Sequence, residues 1–582
     1  MDNDWSDLAE RDDAVIGVRS RRLYNSIAVL GDYLYIEGGV ASSCNSTTGT
    51  CNSDPTPGEP HPFASEGDLY ESQTDTQPFL LPPVNKTLSI PLNRSWSNST
   101  ITYNEIDHNN AIPAADSSGL WTDETTGTLY RWAGGNSRGT AATSDWNRPL
   151  WKFTADGKGG GSWEESKPNN KDVFDTLKRA ANGATASCAG MGFYIGGSSY
   201  SLTDYYPEFQ TGVPNNPIPG MLTYNMTSKE WRNETYVPPA SPYGALNYGK
   251  ALCVEGFGSN PLVMVLGGSS TSLTSTRSYT QNPMNNISFY DPVNRQWHSQ
   301  ELSGTNPVPR DVPCLAGAKG KNGTYEIFMY GGSNDDDGRN IGDVWVLSLP
   351  GFQWFHETTT LQRRRRHACA VAGKSQMVVV GGGLSAKMYD QEDPWPNAIN
   401  VFDMNTLQWK DKYDADAPEY DSPEVIKNWY NKGGLKTVNW NSDEVKALFA
   451  TQSNSTSTNT TNASNSSDAA SSSGPNVGAI VGGVIGGLAL IAILAGLFWF
   501  LRRRKGQAQD EEEKPQQTND GTYEKPQQTH DVIHEMPAPY RSELDDGTST
   551  WAPSTIVGSD VTGSGFSTPH PTKYNPSELN GV

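Results

Sequence analysis

Six apolar, strand-forming runs in this 582-residue chain end in a glycine doublet, and a tryptophan follows each before the next begins. The runs are YLYIEGG (Gly38, Gly39), LYRWAGG (Gly134, Gly135), GFYIGG (Gly196, Gly197), LVMVLGG (Gly267, Gly268), EIFMYGG (Gly331, Gly332) and MVVVGGG (Gly381, Gly382). The tryptophans are Trp96, Trp163, Trp231, Trp297, Trp354 and Trp409. Most are preceded by a further strand-like run and a turn, as in MLTYNMTSKEW and ISFYDPVNRQW, so each unit reads as four short strands. One such unit cannot bury both faces. Units stacked radially cover one another, with Trp and Tyr rings filling the wedges between them.

The doublets recur every 50 to 71 residues, except for a first interval of 96 that reads as carrying an insertion. The glycine-doublet and tryptophan units resemble kelch repeats, and their arrangement resembles fungal kelch-propeller membrane proteins, over Arg21 to Lys412. The resemblance implies an all-β fold, a kelch β-propeller of six blades by motif count and seven if the flanks add strands. The edge strand that closes the ring is expected from Ala14–Val18 or from the segment after Trp409.

The flanks organise the rest. Val477 to Leu501 holds no charge, reaches roughly 37 Å as a helix against a hydrocarbon core of about 30 Å, and is followed by Arg502, Arg503, Arg504 and Lys505. It reads as a single transmembrane helix with its C-terminal end in the cytoplasm. N-glycosylation sequons agree with that orientation. They fall at Asn45, Asn85, Asn93, Asn98, Asn225, Asn233, Asn286, Asn322, Asn454, Asn459, Asn462 and Asn465, all before the helix. The expected layout is a leader over 1–20, a propeller over 21–412 and a short helical segment over 413–450 packed on it. A Ser/Thr/Asn-rich glycosylated stalk over 451–476, the helix over 477–501 and a disordered cytoplasmic tail over 502–582 follow. The first 20 residues lack the apolar core of a secretory signal, which reads as a start missing from the chain. Gly478, Gly482 and Gly486 give GxxxG spacing that permits helix dimerisation.

All six cysteines precede the helix, where disulfides are permitted. Cys44 and Cys51 are close enough to staple one loop, whereas Cys188, Cys253, Cys314 and Cys369 read as unpaired, buried strand residues. The net charge of −21 argues against a nucleic-acid partner.

Catalytic signals are weak. Kelch propellers include galactose oxidase, but that family's adjacent Tyr-His ligand pair does not occur here. His298 and His356 follow outer-strand tryptophans, His61 and His108 fall in loop-like stretches, and only His367 is well placed. There is no GxSxG elbow and no phosphate-binding loop. No cofactor or metal is expected. Carboxylate pairs brought together from distant blades are invisible in sequence. Arg22, Arg310 and the run Arg363 to Arg366 with His367 stand just before first strands, positions that tend toward the channel mouth. The expected ligand-binding set is therefore Arg22, Arg310, Arg366 and His367, guanidinium groups suited to an anionic sugar or acidic peptide. The chain reads as a non-enzymatic plasma-membrane recognition or adhesion protein for an extracellular protein or wall glycan, with cytoplasmic partners on the tail. An extracellular carbohydrate-active enzyme or oxidase is the alternative, and a passive wall-to-membrane tether a third reading.

Overall fold

In the computed structural model the described residues lie between 21 and 450, outside segments 45–50, 53–83, 109–111, 137–148, 206–215, 274–278, 335–338, 358–361, 384–392 and a few single positions. Expectations for the leader, stalk, membrane helix and tail fall outside them. Among the described residues no helix is long and apolar enough to cross a membrane.

Among the described residues there are six four-stranded antiparallel sheets, each with its strands side by side in chain order. The first comprises Ser26–Leu30, Tyr33–Glu37, Lys86–Pro91 and Asn104–Asp107; the second Gly119–Asp123, Thr128–Trp132, Leu150–Ala155 and Gly161–Ser166. The third comprises Ala184–Cys188, Met191–Ile195, Met221–Asn225 and Glu230–Glu234; the fourth Lys250–Val254, Leu262–Leu266, Asn286–Asp291 and Gln296–Glu301. The fifth comprises Cys314–Lys319, Tyr325–Tyr330, Val344–Leu349 and Gln353–Glu357; the sixth Arg365–Ala372, Gln376–Gly383, Ile399–Asp403 and Gln408–Lys410. Their first strands neighbour one another in sequence order, and the sixth returns to the first. This all-β architecture is consistent with a kelch β-propeller.

Each interface between neighbouring sheets holds its own apolar core. Tyr35, Leu129, Phe153 and Trp163 fill the wedge between the first and second sheets, and Trp121, Tyr224 and Trp231 the next. Leu34, Ile36 and Ile90 meet Val378, Val380 and Val401 across the last interface, which closes the cycle. At roughly 1.5–3 kcal/mol for each large side chain buried, that interface outweighs any single polar contact. Lateral packing joins the sixth sheet to the first; of the two expected sources of a closing strand, Ala14–Val18 lies outside the described residues. The segment after Trp409 contributes only Lys412–Tyr413, paired with Trp96–Ser97.

That pairing corrects the place of Trp96. Trp163, Trp231, Trp297, Trp354 and Trp409 lie on fourth strands, but the first sheet's fourth strand is Asn104–Asp107. Trp96 instead stacks on Tyr413, centroids 5.2 Å apart, and donates to the Pro91 carbonyl at 3.0 Å.

The doublets stitch one sheet to the next. The second-glycine N–H of Gly39, Gly197, Gly268 and Gly332 donates to the carbonyl of Ala115, Leu246, Arg310 and Arg364, each in the following unit, at 2.7 to 2.9 Å. A Cβ on Gly38, at φ 64°, would stand 2.2 Å from the Ala115 carbonyl oxygen, so neither the backbone conformation nor the space admits a side chain. In the second unit the left-handed pair is Ala133 and Gly134, one residue earlier than the GG of the sequence, and Gly134 donates to Ala180 at 3.0 Å.

Two disulfides overturn the reading of the four later cysteines as unpaired. Cys188 joins Cys253 and Cys314 joins Cys369, with Cα–Cα distances of 5.2 and 5.7 Å. Inner strands of adjacent sheets face each other closely enough to bring the cysteines within bridging reach. Cys44 and Cys51 are directly opposed in the Val40–Cys44 and Cys51–Asn52 strand pair.

Among the described residues three α-helices pack on the sheets: α1 (Lys171–Thr176), α2 (Glu424–Asn431) and α3 (Asp443–Ala450). α2 inserts Ile426 beside Phe328 and Phe402, while Val445 and Phe449 of α3 join Phe257, Phe289 and Phe352.

Candidate functional site at the axis

One residue at or just ahead of the start of each inner strand takes the left-handed conformation. These are Tyr24, Ser117, Asn182, Tyr248, Val312 and Arg366, with φ between 46° and 63°. None is glycine, and the conformation costs an L-residue about 1–2 kcal/mol unless its surroundings enforce it. Backbone hydrogen bonds between neighbouring units provide that enforcement. Ser117 donates to Tyr24 at 2.9 Å, Tyr248 to Asn182 at 2.8 Å, Val312 to Tyr248 at 2.9 Å and Tyr24 to Arg366 at 3.1 Å. The six residues thus form a collar where the inner strands begin. Apart from the more buried Tyr24, their side chains are half-exposed.

Two residues earlier stand Arg22, Arg310 and Arg364, which lie inside the protein. Arg22 Nη2 donates to the Gly38 carbonyl at 2.8 Å and Arg310 Nη1 to that of Gly331 at 3.2 Å. Arg364 Nη1 reaches Gly381 at 2.8 Å. The doublet's second carbonyl, on Gly382, lies at 3.2 Å. Carboxylates complete two of the clamps, Asp343 at 2.6 Å from Arg310 and Asp393 at 2.9 Å from Arg364 Nη1. The Arg364 guanidinium also lies 3.5 Å from the Trp395 ring centroid. Each arginine therefore accepts a bond from the preceding doublet through its carbonyl or packs against it, and grips its own doublet through its guanidinium. Arg22 lacks a carboxylate contact of this kind among the described residues; burial lowers its pKa to about 10 against the pull of Glu37.

Of the four residues expected to bind ligand, the structure therefore seats Arg22 and Arg310 as internal clamps. Arg366 belongs to the collar, half-exposed, with Nη1 on the Tyr24 hydroxyl and its guanidinium 4.7 Å from that ring's centroid. His367 is buried, its Nε2 3.2 Å from the Tyr330 carbonyl and its Nδ1 without a hydrogen-bond partner among the described residues. Burial first, then the charges of Arg364 and Lys250, push its pKa down to about 3, so the ring is neutral at physiological pH. Lys250 stands on the first strand of the fourth sheet and His367 on that of the sixth, and these two sheets are not neighbours. Lys250 is half-buried two residues after Tyr248, its pKa is lowered by burial, and no hydrogen-bond or ion-pair partner stands by it among the described residues.

Sequence reasoning missed Lys250, and from the run Arg363 to Arg366 it singled out Arg366 rather than Arg364. Aligning units on the doublets would have found Arg364, which precedes Gly381 by 17 residues as Arg22 precedes Gly38 by 16. Lys250 carried no signal, because its significance depends on its place beside the collar.

Other candidates are placed as follows. His298 and His356 lie on fourth strands, stacked on Phe289 and Trp345. His108 is buried against Glu37, a carboxylate that also meets Arg131 at 2.7 Å and Thr87 at 2.6 Å. Desolvation raises the Glu37 pKa, but His108, Arg131 and Thr87 more than offset it and hold the group well below the usual range. Among the described residues no group of three or more His, Cys, Asp or Glu could hold a metal ion. Of the sequons, Asn93, Asn233 and Asn322 are exposed, Asn85, Asn225 and Asn286 half-buried, and Asn98 buried with its amide directed at the Ile399 carbonyl. Asn45, Asn454, Asn459, Asn462 and Asn465 lie outside the described residues.

The six four-stranded sheets and their glycine-doublet contacts are consistent with a kelch β-propeller, and two comparisons point the same way. The KLHDC2/KLHL20/DRC7 Kelch-repeats domain matches residues 258–421. A Kelch repeat-containing protein of Arthroderma benhamiae is 26% identical over 506 residues, covering 75% of this chain and 72% of the relative.

Proposed function

We propose that this chain is a non-enzymatic cell-surface recognition protein: a six-bladed kelch propeller on a glycosylated stalk, a single membrane helix and a cytoplasmic tail. The propeller receives an acidic group of an extracellular protein or wall glycan at its axis. The observation that carries the reading is Lys250, a cation with no hydrogen-bond or ion-pair partner among the described residues, at the start of an inner strand two residues after Tyr248 of the collar that Arg366 shares, in a chain of net charge −21. A carboxylate there gains charge-assisted hydrogen bonds that the protein itself does not satisfy. Arg22, Arg310 and Arg364 are committed to glycine carbonyls.

Localisation outside the cell draws support from two inter-sheet disulfides, which persist in oxidising compartments, and from sequons confined to one side of the apolar segment. The test is direct binding of acidic peptides and uronic-acid oligosaccharides to the full chain. Saturable binding that weakens in Lys250→Gln supports the reading. Consumption of the oligosaccharide, or binding indifferent to Lys250, goes against it.

A further inference from the structure

Resting on that extracellular reading, we infer that Asn322 carries an N-glycan whose first N-acetylglucosamine seats in a cleft between the fifth sheet and helix α2. Asn322 is exposed on the turn joining the first two strands of the sheet, closed by a Gly320 to Thr324 backbone hydrogen bond of 2.9 Å. Beside it opens a cleft of about 210 Å³ lined by Asn322 itself, Thr324, Pro350, Ser422, Lys427 and Tyr430, among others. That is smaller than the roughly 300–1,000 Å³ of a drug-sized ligand site. It suits a single sugar.

The lining has the mixed character of a pyranose, which presents C–H faces and hydroxyl edges. Pro350 and the Tyr430 ring supply apolar surface; Thr324, Ser422 and Lys427 supply polar atoms. The walls are fixed from behind. Glu326, fully buried, accepts from Ser348 at 2.8 Å and from Tyr420 and Ser422 at 3.1 Å each, and Thr324 meets Ser422 at 2.9 Å. Tyr430 in turn accepts from the Gly351 N–H at 2.9 Å. Because the sugar is joined to a lining residue, it needs no separate association step, and weak contacts suffice to hold it. The seated sugar bridges the turn to α2.

The experiment compares the full chain from an N-glycosylating host with Asn322→Gln and, as a control, Asn93→Gln. Site occupancy is read by peptide mass spectrometry and α2 by hydrogen exchange over residues 424–431. A third arm trims the native glycans enzymatically to the single protein-linked sugar. The expected result is an occupied Asn322, α2 exchange unchanged by trimming and by Asn93→Gln, and exchange at least threefold faster in Asn322→Gln. Equal α2 exchange in wild type and Asn322→Gln overturns the inference, as does an empty Asn322 while Asn93 and Asn233 are occupied. If none of the three is occupied, the inference fails together with the extracellular reading on which it rests.

Discussion

The N–H of Tyr24 donates to the carbonyl of Arg366 at 3.1 Å, joining the first inner strand to the last. On the same seam, a Cβ on Gly381 would stand 2.3 Å from the Arg22 carbonyl oxygen. Ring closure is thus a backbone contact that tolerates no side chain.

Gly381→Ala should therefore cost about 2–3 kcal/mol or more, combining a backbone clash with a left-handed φ of 74°. Gly31→Ala is the control. It has φ 56° but nothing within 4 Å of its Cβ, and should cost only about 1 kcal/mol. Urea unfolding of both variants separates the two contributions.

The Arg364–Asp393 pair is wholly buried. Removing one partner leaves an uncompensated charge, so Asp393→Ala should lose about 3–5 kcal/mol, whereas Arg364→Met with Asp393→Leu should recover most of it. Equal losses in the single and double variants would show that the pair acts through shape rather than charge.

Cys188–Cys253 and Cys314–Cys369 close spans of 65 and 55 residues, for which loop-closure entropy gives about 4 kcal/mol each. Cys314→Ser with Cys369→Ser should lower the melting temperature in the absence of reductant. The parent with and without reductant should show the combined effect of both bridges.

Two buried groups oppose each other in pH dependence. His367, with its pKa depressed to about 3, contributes stability that is present above its ordinary value of 6.5 and lost as pH falls toward 3. Glu326 is raised, first by desolvation and against the pull of its hydroxyl donors, so its contribution is present at acid pH and lost as pH rises through the raised value. Glu326→Gln should flatten the upper limb of a stability-against-pH curve and His367→Asn the lower. Melting temperatures across pH 3 to 8 read both.

The repeated architecture was legible because doublet, strand and tryptophan recur in order, and radial stacking is the way such units cover their faces. Local exceptions were not. Trp96 carries the same signature as its five counterparts, yet the long first insertion displaces it from the fourth strand to a pairing with Tyr413. The cysteine pairings needed the knowledge that inner strands of successive units face one another. The arginines are legible as a class but not in their placement, since Arg22 and Arg310 are buried on glycine carbonyls while Arg366 is half-exposed, and sequence does not distinguish a guanidinium that grips a carbonyl from one that faces solvent. Lys250 gains its meaning from residues more than a hundred positions away.

The most direct measurement is a titration of the full chain with an acidic peptide, at two salt concentrations, for wild type, Lys250→Gln and Arg366→Gln. The expected result is saturable binding that weakens with salt and by about tenfold or more in Lys250→Gln, at an unchanged melting temperature. Binding of equal strength in wild type and Lys250→Gln would contradict it.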